Sequence, residues 1–265
     1  MKDYYMNTLY FHIAKTLIYM DLHILKQSLF DKLINIVIWA VLTLVVTIYI
    51  MPFFGLSADF GIFQLGGILA AVGLFEVYNS TVEMVADLEG DQIINYSLTL
   101  PAPSWLILLS KATYYFILYS ILTLLVLPIG LGMVWHQLEY TSISIIKLLF
   151  ALCIQNIFYA AFGLWSASMP TNMTQMGNIW SRFIFPMWFL GGFQFSWFAF
   201  YQALPTLAFI NLINPLVYIT ESIRAALIGQ PDYLNFWICI SAILICAGIC
   251  FTFGFYNLKK RLDFI

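Results

Sequence analysis

The chain has 265 residues, of which 62% are hydrophobic, 18% aromatic and 9% charged, with a net charge of −2 and a mean hydropathy of +0.90. A soluble domain has no means of hiding that much apolar surface, so the solvent for most of this chain is lipid. No basic run is long enough to follow a nucleic-acid backbone, which removes nucleic acid as a partner, and the short connections leave no room for a separate soluble domain.

In chain order, the first element is amphipathic. From Leu9 to Leu29, His12, Thr16, Tyr19, His23 and Lys26 fall on one helical stripe beside an apolar face of Ile13, Leu17, Met20 and Ile24. The pattern predicts a cytoplasmic N-terminal helix over residues 1–32 lying in the headgroup plane, with a packed helix of a cytoplasmic cap as the alternative. Asp21 breaks the apolar face where the helix meets another element. Leu33 to Met51 reads as the first span, opened by Asp31 and Lys32 and closed at Pro52. Phe60 to Val82, carrying Glu76, reads as the second.

The next loop contains Glu83, Asp87, Glu89, Gly90 and Asp91. It reads either as a solvated acidic loop or as a short helix that offers an apolar edge and an acidic rim to a partner. Gly90 ends or bends it, and Pro101 and Pro103 stop it before the third span. Trp105 to Leu127 is that third span, with Lys111 near its start placed to snorkel. Leu148 to Ser168 is the fourth, Ile179 to Ser196 the fifth and Leu234 to Leu258 the sixth. Trp197 to Tyr233 is too broken by Pro205, Pro215 and Pro231 for one helix and reads as two short helices dipping into the outer leaflet. A short basic tail, 259–265, follows.

Lysines and arginines cluster before the first span and after the last, while the turns at Pro52 to Asp59 and Pro128 to Ile146 have none. Both termini are therefore expected in the cytoplasm. The first apolar run is too long and too deep in the chain for a signal peptide. All four cysteines lie in apolar runs, where a disulfide framework is not expected. Cys239, Cys246 and Cys250 share one helical face, a spacing that suits either small residues lining a helix contact or a buried metal site.

Glu76 and Arg182 are the ionisable residues set furthest into apolar spans, either paired, facing a pathway or snorkelling. Glu221 and Arg224 have the spacing of a same-helix ion pair. The aromatics Phe193, Phe195, Trp197, Phe198, Phe200 and Tyr201 cluster at the outer end of the fifth span, as an interfacial girdle or as a lining for sugar or lipid.

Three segments carry a resemblance that covers nearly the whole chain. VADLEGDQIINYSLTLPAPSWLILLSK is similar to an acidic, glycine-containing coupling segment with a Leu-Thr-x-Pro turn, matched at Leu98, Thr99, Leu100 and Pro101. FPMWFLGGFQF matches a fifth-span pattern at Pro186, Leu190 and Gly192, with Gly191 where serine is usual. LINPLVYITESIRAALIG matches an Asn-Pro-Leu and Arg pattern at Asn214, Pro215, Leu216 and Arg224. In these the chain resembles the membrane subunit of type-2 ABC exporters. Asp91 stands where threonine is frequent, and the coupling segment lacks the usual basic residues.

The resemblance implies an all-α membrane fold of six spans with an interfacial N-terminal helix, a coupling helix and re-entrant helices before the last span. It implies a homodimer in the cytoplasmic (inner) membrane, embedded in lipid and exporting polysaccharide, lipid or drug. The chain has no phosphate-binding Gly-x-x-x-x-Gly-Lys loop, so it carries no nucleotide cofactor of its own, and ATP belongs to a partner ATPase. Glu83, Asp87, Glu89, Gly90, Asp91 and Pro101 are the expected ATPase-coupling residues. Glu76, Arg182, Pro186, Gly192, Asn214, Pro215, Glu221 and Arg224 are the expected pathway or gate residues. The competing function is an ion-coupled secondary transporter working through Glu76 and Arg182. An intramembrane enzyme lacks a convergent nucleophile and base, since His12, His23 and His136 are terminal or in loops.

Overall fold

The computed structural model describes residues 2–57, 60–90, 93–99, 101–137 and 143–262, and these are helical apart from turns. Asp91 lies outside the described residues. Among the described residues, five helices are long and apolar enough to cross a membrane, one each in 9–54, 60–89, 104–133, 145–167 and 236–261. The first is α1 (Lys2–Val45), which runs on through a π-helical turn, Val46–Ile50, and a 3-10 turn, Met51–Phe54. The break expected at Asp31–Lys32 is absent, so the N-terminal segment and first span form one rod. Its 44 helical residues amount to roughly 66 Å, about twice the hydrocarbon thickness, and the excess extends beyond the spanning part. The stripe of His12, Thr16, Tyr19, His23 and Lys26 is exposed, as expected, and so are Met20 and Ile24 from the apolar face.

The second helix, α2 (Phe60–Glu89), is the core of the fold: 83% of its most apolar stretch is buried, against 17% for α1. Around it stand α4 (Ser104–Met133), α5 (Ile145–Ala167) and α10 (Pro215–Leu227). Outside these, α1 packs along α4, and α11 (Phe236–Leu262) packs along α5. Four polar side chains in this core bond across helices. Tyr159 donates to the carbonyl of Ala70 at 2.6 Å, Gln155 to that of Leu69 at 3.2 Å, and the hydroxyls of Thr81 and Ser166 meet at 2.6 Å. Such bonds are worth about 0.6 kcal/mol each in a bilayer.

The expected fifth span, Ile179 to Ser196, is cut short. Helix runs from α6 (Met176–Ile179) through π-helical Trp180–Ile184 to α7 (Phe185–Leu190), then gives way to a turn. Those fifteen residues make roughly 22 Å, less than a hydrocarbon core. Both π segments lie just ahead of a proline. Pro52 and Pro186 have no N–H for the carbonyl four residues back, at Ile48 and Arg182, and a widened turn is the local response. The broken region then has three short helices where two were expected: α8 (Trp197–Ala203), α9 (Pro205–Asn211) and α10, the last two bent by 97°. Taken as one bent span, α9 and α10 bring the total to six. The basic residues of the tail, Lys259 to Arg261, form the last turn of α11.

The α5–α11 contact is close because of Gly254, where a Cβ would stand 2.8 Å from the backbone nitrogen of Trp165. Gly248, on the same helix, has open space around it. Gly254→Leu should cost about 2–3 kcal/mol and lower the thermal midpoint of the purified chain by roughly 5–10 °C, while Gly248→Leu leaves it within about 2 °C. Equal midpoints for the two variants contradict this packing.

Candidate functional site

The two ends of α2 carry two separate constellations, about 36 Å apart from Phe63 to Asp87 by helix rise. At the Phe63 end the organising residue is Arg224, fully buried on α10. Its Nε donates to the carbonyl of Phe63 at 3.1 Å, Nη1 to that of Phe195 at 3.1 Å and Nη2 to that of Phe193 at 3.2 Å. The guanidinium plane lies 3.4 Å from the ring centroid of Phe63. One side chain thus ties α10 to the start of α2 and to the turn after α7. The approach is possible because Gly66 and Gly67 have no side chains: a Cβ on Gly66 would stand 2.8 Å from Arg224 Cγ, and one on Gly67 2.9 Å from the Phe193 carbonyl. Gly192, at φ +80°, makes the turn that points those carbonyls inward.

The expected ion pair of Glu221 with Arg224 does not form. Glu221, also fully buried, accepts from the backbone N–H of Trp197 at 2.8 Å and of Leu234 at 3.0 Å, pinning the start of α8 and the loop before α11. Arg224 sends its donors to carbonyls at Phe63, Phe193 and Phe195. The two neighbours on one helix therefore serve opposite backbone polarities. The carbonyls left over at the end of α7 are met in the same way: Asn214 donates to Met187 at 3.0 Å, Asn211 to Leu190 at 2.8 Å and Thr220 to Gly191 at 2.8 Å. Asn214 also caps α10 through the N–H of Leu216, with Pro215 in the first turn. Pro186 opens α7. Phe193 and Trp197 turn inward, Trp197 donating to the Ala208 carbonyl at 3.0 Å, whereas Phe198 and Tyr201 remain on the surface.

At the other end, Glu76 is 1% exposed and is bound by Lys32 of α1, with Asn79 donating to its second oxygen at 3.0 Å. Lys32 also reaches Glu83 at 2.8 Å. Glu76 and Arg182 therefore do not pair; Arg182 is exposed and makes no hydrogen bond or ion pair among the described residues. Asp21 meets Lys111 of α4 at 3.1 Å, the expected contact with another element, in place of snorkelling by Lys111.

The acidic stretch expected as a short helix before Gly90 is instead the end of α2, which runs to Glu89 and turns at Gly90, and a separate short helix, α3 (Ile93–Leu98), follows it. Asp87 holds it, its two carboxylate oxygens accepting from the N–H groups of Ile93 and Ile94 at 3.0 Å each. Glu89 accepts from the Met173 N–H at 3.2 Å, and Arg261 bonds the carbonyls of Pro170 and Thr171 at 2.7 and 3.1 Å. Three acids of the segment are thus committed inside the subunit, while Ile93, Tyr96 and Pro101 face outward.

Residues that sequence reasoning passed over include Lys32, counted only for topology, and Gly66–Gly67, whose doublet parallels Gly191–Gly192. An aromatic cluster of Trp39, Phe75, Trp180 and Trp188 joins α1, α2 and the 176–190 stretch, with ring centroids 5.2–6.0 Å apart. No periodic signal marks it.

Two expectations test these centres. Arg224→Lys, which cannot aim donors in three directions, should destabilise by about 3–5 kcal/mol and expose 191–196 to protease; a variant as stable and as resistant as the parent refutes the tie. Lys32→Met should cost about 3 kcal/mol by stranding Glu76, whereas Lys32→Met with Glu76→Gln recovers most of the loss in thermal unfolding. An additive double variant shows that the pair is not coupled.

A family model described as ABC-2 type transporter matches residues 23–228. No curated protein matches the chain.

Proposed function

The chain belongs to the ABC-2 type transporter family, and on that footing we propose that it is the permease of an ATP-binding-cassette exporter driven by a separate ATPase subunit. It is a multi-pass membrane protein of transport. The finer reading is a homodimer in the cytoplasmic membrane with both termini, α3 and the 168–175 loop on the cytoplasmic side, consistent with the distribution of lysine and arginine. Two copies would frame a path for polysaccharide, lipid or drug, and ATP would bind the partner subunits.

The observation that carries this reading is α3: a helix of six residues, fixed from behind by Asp87, with Ile93 52% and Tyr96 70% exposed. Asp87 is spent holding it in place, and Ile93 and Tyr96 give it an exposed apolar and aromatic surface suited to seating in a groove of an ATPase. Closure of the ATPase pair would push on α3 and, through Asp87, on the end of α2, whose far end is tied by Arg224 to the broken helices. Permease halves would then move as rigid bodies between two states, biased by nucleotide only through differential contacts. The ion-coupled reading loses its residues: Glu76 is bound by Lys32, and Arg182 faces an apolar wall.

The test is co-purification of the tagged chain with its ATPase from membranes, followed by ATP hydrolysis. Asp87→Ala removes two hydrogen bonds to α3, about 1–3 kcal/mol, and Tyr96→Ala removes its largest exposed side chain. Each should leave the permease folded, weaken recovery of the complex and cut transport-linked hydrolysis about tenfold. Unchanged recovery and hydrolysis in both would sink the docking role of α3.

A further inference from the structure

A groove of about 600 Å³ runs down the outside of the subunit between the 176–190 stretch, α5, α9–α10 and α11. Its wall is apolar, with Phe162, Phe183, Leu190, Leu207 and Ile249 among the lining, and its charge is that of Arg182. The polar neighbours in the wall are already engaged, since Asn211 and Asn214 give their amides to the α7 carbonyls. Arg182 has no carboxylate within ion-pair distance among the described residues. A guanidinium beside lipid without a counter-ion is costly, and its position says what supplies one.

Arg182 lies six residues into the stretch that begins at Met176, roughly 9 Å by helix rise from the 168–175 loop. That loop is fastened to Glu89 and Arg261, at the α3 end of the molecule. The guanidinium thus stands within reach of the headgroups of that leaflet. From Arg182 to Leu190 the groove follows about 12 Å of helix, close to the 15 Å depth of one leaflet's half of a hydrocarbon core. A positive charge at headgroup level, above an apolar trough as deep as an acyl chain, matches one kind of molecule.

The geometry points to a binding site for one anionic phospholipid, its phosphate on Arg182 and an acyl chain in the groove against α5 and α11. This rests on the chain being embedded in a bilayer and is independent of what it transports. The bound lipid fills the space left by the short 176–190 helix and braces it against α11.

The test is native mass spectrometry of the full-length chain after equilibration with equal amounts of phosphatidylglycerol and phosphatidylcholine carrying identical acyl chains. One phosphatidylglycerol should be retained in about fivefold preference, the scale of one basic side chain at a membrane surface. Arg182→Gln should abolish the preference and Arg182→Lys restore most of it. Cys250→Trp, which fills the trough and leaves the charge, should lower retention of both lipids. A wild-type chain that takes both lipids equally overturns the proposal without any variant. So does a preference that survives Arg182→Gln, or retention that ignores Cys250→Trp. Cross-linking of Cys246 to a second copy in membranes would instead assign the groove to a protein interface and overturn the lipid site.

Discussion

A carbonyl freed by a broken helix inside a bilayer has no water to turn to. Most of what is distinctive in this chain follows from that constraint. The helix that should cross as the fifth span stops at Leu190, and its loose end has to be closed by side chains from elsewhere. Asn211, Asn214, Thr220 and Arg224 all donate to the carbonyls between Met187 and Phe195. Glu221 does the opposite work for two N–H groups. Polar residues that look like a transport pathway in sequence are, in space, the inner lining of a chain break. That does not detach them from function, because the same residues decide whether the broken region can move as a unit.

Much of this architecture was legible beforehand. Uncharged runs marked α2, α4, α5 and α11 because twenty apolar residues have few other fates, and Pro205, Pro215 and Pro231 showed that the region between could not be one helix. The acidic segment read as a short helix ended at Gly90, whereas its acids prolong α2 to Glu89 and the separate short helix comes after the turn, at Ile93–Leu98. What escaped was everything set by partners distant in sequence. Glu221 and Arg224 have good spacing for a pair, but spacing cannot show that each is claimed by backbone groups of opposite polarity, N–H for Glu221 and carbonyl for Arg224. Lys32 looked like the polar start of a span, whereas α1 carries it through without a break because Glu76 and Glu83 meet its charge. Pro186 was legible as a motif residue, but the π turn ahead of it depends on geometry no composition window contains.

The core helix links the two ends. Gly66 and Gly67 admit Arg224 at one end, Glu76 and Glu83 take Lys32 nearer the other, and Asp87 grips α3 beyond them. Because α2 is enclosed by α4, α5 and α10, it has little freedom to bend in isolation, and a displacement of α3 has to carry the bundle with it. The outer helices are less constrained. Among them α1 leaves most of its surface open and is held by one apolar edge, Leu25, Trp39, Ala40 and Leu44 among it, and by charge contacts to α2 and α4.

An unbroken rod held part-way along is a lever. The buried Lys32–Glu76 contact is the firm pivot, since the more exposed Asp21–Lys111 pair is better screened and yields first. From that pivot one arm of α1 runs about 45 Å toward Lys2 and the other about 20 Å toward Val45. A sideways push on the long arm reappears across the pivot reversed in direction, reduced roughly twofold in travel and increased by the same factor in force. Whatever leans on the N-terminal segment therefore trades distance for leverage where α1 enters the opposite face of the membrane.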